Sequence, residues 1–161
     1  MELNRDELLK SVEDAIKLRA QAYSFIYDEI SSVNGKEKAD EIFKKAIYKL
    51  GSVKSSSYNY NAKTDASILS DEFVNKDTVH KEIFKKQQLS SNKNECVLEM
   101  KKCPLVEKWK QSGIDTKEIS HLCDLAYQID FGTFETLGYK LNFRQRLADG
   151  ADSCILELKK K

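Results

Sequence analysis

The chain has 161 residues, 40% of them apolar and 33% charged, and its 27 Lys and Arg nearly cancel 26 Asp and Glu for a net charge of +1. That length fits one domain burying roughly two thirds of its unfolded surface, and the Tyr and Phe content suits a packed core rather than a disordered chain. Near-neutral charge removes the electrostatic case for a nucleic-acid binder, and no run of about 18 apolar residues is present to span a membrane. The opening MELNRDELLK lacks the apolar stretch of a secretory signal. The expectation is a cytoplasmic protein whose four cysteines stay reduced, and which serve as core thiols, metal ligands or catalytic groups before disulfides.

Residues 3 to 30 carry helical periodicity, with Leu8, Val12, Ile16, Arg19, Tyr23, Ile26, Tyr27 and Ile30 at spacings of three and four. Ser31 to Gly35 breaks the pattern. A second helix follows, with Ala39, Ile42, Phe43, Ala46, Ile47 and Leu50 on one face and Gly51 as its C-terminal stop. The pair reads as an antiparallel hairpin, either a cover on a sheet or a dimerisation surface, so a homodimer is one alternative. Residues 52–78 are polar at first (SVKSSSYNYNAKT) and read as a loop or lid, with a weak helical start between Asp65 and Phe73.

From Val79 to Lys86 the alternation suggests a Lys-rich edge strand. Ser90 to Asn94 turns the chain into a better strand, with Cys96, Leu98 and Met100 on one face. Pro104, the single proline, sits at the first position of a helix that Gly113 closes. Asp115 and Glu118 form a capping box for the next helix, whose stripe is Ile119, Leu122, Cys123, Ala126, Tyr127 and then Asp130. A strand from Tyr139 to Leu147 sets Leu141 and Phe143 against Arg144 and Arg146. Asp149-Gly150 turns it, and Cys154, Leu156 and Leu158 return as its partner.

The fold class expected is α+β: an N-terminal helical hairpin (1–51), then a mainly antiparallel sheet of about four strands interrupted by a helix pair (79–161), all in one domain.

Cys103 falls at the N-cap of the helix opened by Pro104, where the helix dipole and free N–H groups lower a thiol's pKa and yield a nucleophile or ligand. Its plain alternative is a thiol at a strand–helix corner. Asp130 is a carboxylate on an apolar stripe, costly to bury without a partner and so a functional candidate. The alternative is a solvated helix end. Cys123 and Cys154 face inward. Three thiolates with His121 leave zinc or another divalent metal open, although no paired C-x-x-C is present and His121 projects away from Cys123. No cofactor is otherwise called for. Arg144 or Arg146 are candidates to hold a substrate carboxylate.

The order Cys103-Pro104, Trp109, Gly113, Leu122-Cys123, Asp130-x-Gly132, Glu135, Leu137-Gly138, Leu147-Ala148-x-Gly150 and Cys154 resembles the L-2-amino-thiazoline-4-carboxylic acid hydrolase family over about residues 103–158. The resemblance implies a hydrolase that opens a 2-amino-thiazoline ring at its amidine-like C2, giving N-carbamoyl-L-cysteine. It implies catalytic roles among Cys103, Asp130, Cys123 and Cys154, and a substrate-binding set of Arg144, Arg146, Tyr127 and Trp109. A Cys103 thiolate adding to C2, or Asp130 activating water there, would serve that chemistry. The competing reading is a non-catalytic sensor or binding module using the same cysteine-lined pocket for a small molecule or metal.

Overall fold

The computed structural model describes residues 4–161. Helix α1 (Arg5–Asn34) opens with a capping box: the Asn4 side chain accepts the Glu7 N–H, and the Glu7 carboxylate accepts the Asn4 N–H. It runs through the expected break, because the Ser31 and Ser32 hydroxyls bond back to the carbonyls of Asp28 and Glu29 instead of unwinding the turn. Gly35, at φ +78°, ends it.

Helix α2 (Lys36–Lys54) passes straight through Gly51, which is buried inside the helix rather than placed at its end. The expected loop at 52–78 is mostly helical. Two single 3-10 turns (Ser55–Ser57 and Tyr60–Lys63) lead into α3 (Ala66–Asn75), capped by Asp65, with Leu69, Phe73 and Val74 buried against the sheet. Apolar residues at i, i+4 and i+5 outweigh a polar lead-in.

The expected edge strand from Val79 is helix α4 (Thr78–Phe84). Asp77 caps it by accepting the His80 N–H at 2.9 Å, and Val79 with Ile83 repeat at i, i+4 as well as in alternation. Lys85, left-handed at φ +49°, stops it. Strand β1 (Lys86–Ser91) starts only there.

Strands β2 (Glu95–Met100), β3 (Tyr139–Gln145) and β4 (Cys154–Lys160) complete a four-stranded antiparallel sheet of order β1-β2-β4-β3. Leu98, Leu156, Leu158 and Leu141 point to one face, where α3 and α7 (Gln128–Thr136) cover them. Between β2 and β3 come α5 (Pro104–Gln111), α6 (Thr116–Ala126) and α7. Asp115 caps α6 by accepting the N–H groups of Lys117 and Glu118. Where one continuous helix was expected from 116 to Asp130, the chain bends at Tyr127, and Cys123 and Asp130 lie on consecutive helices.

The α1–α2 hairpin covers α5, α6 and α7, not the sheet. Two apolar cores result. One joins Ile16, Ala20, Tyr27, Phe43, Trp109, Leu122 and Leu125 among the helices. The other joins Leu69, Phe73, Leu98, Phe134, Tyr139 and Leu156 on the sheet. No helix among the described residues is long and apolar enough to cross a membrane.

Candidate functional site

A cavity of about 150 Å³ lies at the seam between the two cores. Its helical wall is Leu105, Val106, Trp109, Ala126 and Ile129, and its sheet-side wall is Phe73, Met100 and Phe143. Into this apolar chamber come Cys103 from the start of α5, Cys123 from α6, Asp130 from α7 and Cys154 from the start of β4. All four cysteines of the chain are free, and Cys96 is buried in the sheet core outside the cavity.

Cys103 is the N-cap of α5. Burial pushes its thiol up, and this outweighs the opposing pull of the Val106 and Leu105 N–H groups and of Arg19. The expected lowering is therefore reversed: desolvation exceeds the helix terminus, and the resting group is a thiol. Burial likewise raises Cys123, and raises Cys154 to about 11 even though Cys154 Sγ accepts the Leu147 N–H at 3.3 Å. Cys103 acts electrostatically on both other thiols, as expected of three sulfurs sharing one wall.

Asp130 makes no ion pair within 4.0 Å among the described residues. Burial raises its carboxyl, while Lys54, Lys86 and Arg19 pull it back down. Those three cations also line the cavity, and none of them is in an ion pair among the described residues. Arg19 and Lys54 are exposed, whereas Lys86 is half-buried and its amine is pushed down to about 8 by burial and by Lys54.

The two candidate arginines part company. Strict alternation would put Arg144 and Arg146 on one face, but a bulge between Phe143 and Gln145 shifts the register, and β3 ends at Gln145. Arg144 stays on the outer face, its Nε donating to Glu157 at 3.0 Å, outside the cavity. Arg146 turns inward, with its side chain 14% exposed. It donates to Asp149 Oδ2 at 2.7 Å, to Ser120 Oγ at 3.2 Å and to Asp124, and lies 5.2 Å over the Tyr127 ring. Its donors are largely spent tying α6 to the turn before β4. Arg146→Ala is expected to cost about 1–2 kcal/mol of stability, by removing the packing and hydrogen bonds of a mostly buried side chain whose Asp124 and Asp149 partners stay in reach of water, whereas Arg144→Ala costs less than about 0.5 kcal/mol. Paired chemical denaturation curves check this.

Trp109, 1% exposed, lines the cavity floor and is held by Nε1 donating to the Ala20 carbonyl at 2.9 Å. Tyr127 stacks obliquely on Phe143 and Phe131 at 5.1 and 5.3 Å. His121 does not join the thiols. Its Nε2 lies 3.0 Å from both Tyr27 Oη and Asp40 Oδ1, between α1 and α2. Among the described residues no three of His, Cys, Asp and Glu are grouped to hold a metal ion.

Sequence reasoning missed Arg19, Lys54 and Lys86. Arg19 had a signal, a cation set within the apolar stripe of α1. Lys86 had none, because its inward position depends on β1 beginning after α4.

A sequence model of the L-2-amino-thiazoline-4-carboxylic acid hydrolase family matches residues 15–157, extending the likeness from the last third of the chain to most of it. No curated protein matches the sequence significantly. Among solved structures the fold is similar to a trafficking protein particle complex subunit 3 from Naegleria fowleri covalently bound to palmitic acid. That likeness has a TM-score of 0.54 at 14% identity and covers 91% of this chain and 95% of that one.

Proposed function

The chain belongs to the L-2-amino-thiazoline-4-carboxylic acid hydrolase family, and from that premise we propose that the seam cavity hydrolyses a small 2-amino-thiazoline-4-carboxylate-type ring at its amidine-like carbon. The observation that carries the reading is the meeting of the Cys103 thiol and the unpaired Asp130 carboxylate in one chamber lined by three unpaired cations.

The substrate carboxylate lies toward Arg19 and Lys54, and the ring enters between Trp109 and Phe143. Asp130 takes the thiol proton as Cys103 Sγ bonds to C2. The ring C2–S bond then breaks, and the departing sulfur receives that proton from Asp130. Water adds to the carbon held on Cys103, and Sγ leaves with one of its protons while the other goes to the substrate nitrogen. The product is an N-carbamoyl amino acid with a free thiol. Burial supports Asp130 as the proton carrier, because raising a carboxyl above its ordinary range makes it a better proton acceptor.

The test is thiol release from 2-amino-thiazoline-4-carboxylate, followed with a thiol-specific chromogen. One thiol per substrate consumed is expected, with Cys103→Ala slower by a factor of about 10³ or more. Full turnover in that variant removes Cys103 from the chemistry, and no thiol release by the native protein removes the reading.

The apolar walls favour a second reading, a non-catalytic module that holds an apolar ligand, since the similar trafficking-complex subunit carries covalently bound palmitic acid. An intact-mass measurement of the purified protein separates the two. A hydroxylamine-labile acyl adduct on Cys103 supports the module, and an unmodified chain that turns over supports the hydrolase.

A further inference from the structure

Ring opening leaves Lys86 without a task. The left-handed Lys85 ends α4 and delivers Lys86, the first residue of β1, into the cavity. Its Nζ donates to the Phe73 carbonyl at 3.3 Å and sits 4.4 Å over the Phe73 ring, with the Phe84 ring at 6.0 Å. No carboxylate lies within 4.0 Å of it among the described residues. The charged and titratable groups around it are Lys54, Asp130, His80 and Arg19 on the cavity lining, with Asp77 acting from further off.

A lysine amine in an apolar chamber, beside a second cation and with no carboxylate within ion-pair distance, is the arrangement that makes an amine a nucleophile toward carbonyl carbon. Here burial and the charge of Lys54 both disfavour the ammonium form, leaving a substantial neutral fraction near physiological pH. Arg19 and Lys54 at the mouth supply the cations that a carboxylate needs, and Asp130 supplies a proton carrier in the same chamber.

We propose that Lys86 is a covalent carbonyl-binding site, forming an imine with a small 2-oxo acid whose carboxylate is held by Arg19 and Lys54. Nζ forms a bond to the carbonyl carbon, and a proton moves from nitrogen to the carbonyl oxygen to give a carbinolamine. That hydroxyl leaves as water with a proton from Asp130, and the remaining N–H proton returns to Asp130. No electrons are exchanged. The site stands independently of ring opening, since neither requires the other.

The experiment is reductive trapping of the full chain with glyoxylate and sodium cyanoborohydride, followed by peptide mapping. Lys86 is expected to label at least about tenfold faster than any exposed lysine, because its neutral fraction is larger. Lys86→Met should abolish the dominant adduct while melting at or above the native temperature, as methionine carries no charge into the apolar wall. Arg19→Ala should slow glyoxylate trapping severalfold but leave trapping of acetaldehyde, which has no carboxylate, unchanged. Adduct spread evenly over exposed lysines, or persisting undiminished in Lys86→Met, overturns the site. Equal glyoxylate trapping by Arg19→Ala overturns its carboxylate anchor.

Discussion

Gly132→Ala is expected to lower the melting temperature by about 5–10 °C, a loss of about 2–3 kcal/mol. Gly132 on α7 and Gly51 on α2 face each other where the two helices cross, with almost no space between backbones. A methyl group at Gly132 would lie 2.0 Å from the Tyr48 carbonyl oxygen and 3.0 Å from the Ser52 nitrogen, and one at Gly51 would lie 2.1 Å from the Ile129 carbonyl oxygen. Backbone atoms have no rotamer to change, so the helices must separate. Helix propensity favours Ala over Gly by only about 1 kcal/mol, and the clash wins.

The crossing is also bonded. Thr133 Oγ1 donates to the Gly51 carbonyl at 3.1 Å, and Tyr48 Oη donates to Glu135 at 2.9 Å. Since α7 carries Ile129 and Asp130 into the cavity, separation displaces Asp130, and thiol release should fall along with stability. Gly150→Ala is the control. Nothing lies within 4 Å of its added carbon, so only its left-handed backbone (φ +90°, ψ +7°) costs, about 1 kcal/mol. Differential scanning calorimetry of the variants decides it. A Gly132→Ala protein melting with the native one means the crossing has slack that the close approach excludes.

Asp130→Asn should separate stability from activity. Thiol release is expected to fall about 100-fold or more with loss of the proton carrier, while the melting temperature stays level or rises. The sign follows from linkage. Burial raises the Asp130 carboxyl above its ordinary range, so folding favours the protonated form. That contribution is complete below the ordinary carboxylate pKa and is lost as pH climbs through the folded value, so at neutral pH the charge is a cost.

Asn removes that cost at nearly the same volume, although it also gives up the attraction of Lys54, Lys86 and Arg19. The net raising says burial is the larger of the two. The native protein should therefore lose stability at this position as pH rises above the ordinary carboxylate pKa, and the variant should lose less. Lys86 acts in a different window. Its amine, depressed to about 8, makes stability rise with pH from about 8 toward 10.5 as the unfolded chain alone stays protonated. Denaturant midpoints against pH test both. An Asn variant that melts lower and turns over normally would make Asp130 a structural carboxylate.

Much of the architecture is legible without coordinates. Alternation in Cys96-Leu98-Met100 and Cys154-Leu156-Leu158 gives two strands that pair directly, Leu98 opposite Leu156 and Met100 opposite Cys154. Pro104 stands at the start of α5, Gly113 at φ +76° follows its end, and Asp115 caps α6. These signals act within one turn or one strand, so neighbours suffice to read them. The misreadings have a common cause. Val79 to Ile83 satisfies both the helical and the strand period, and only Asp77 decides between them. Gly51 has a helix-ending residue type, but a partner glycine 81 positions later keeps it inside α2.

The candidate site divides along the same line. Local chemistry was enough to mark Cys103 at a helix start and Asp130 as a carboxylate with no apolar reason to be there. The sign of the Cys103 shift was not local, because burial comes from walls contributed by the other elements and exceeds what one helix terminus supplies. Nor was the choice of arginine, which rests on a single bulge in β3. The cations facing Asp130 come from α1, α2 and β1, far away in the chain, and the packing of two cores brings them together. Periodicity and capping are properties of neighbours. Desolvation and convergence belong to the assembled fold.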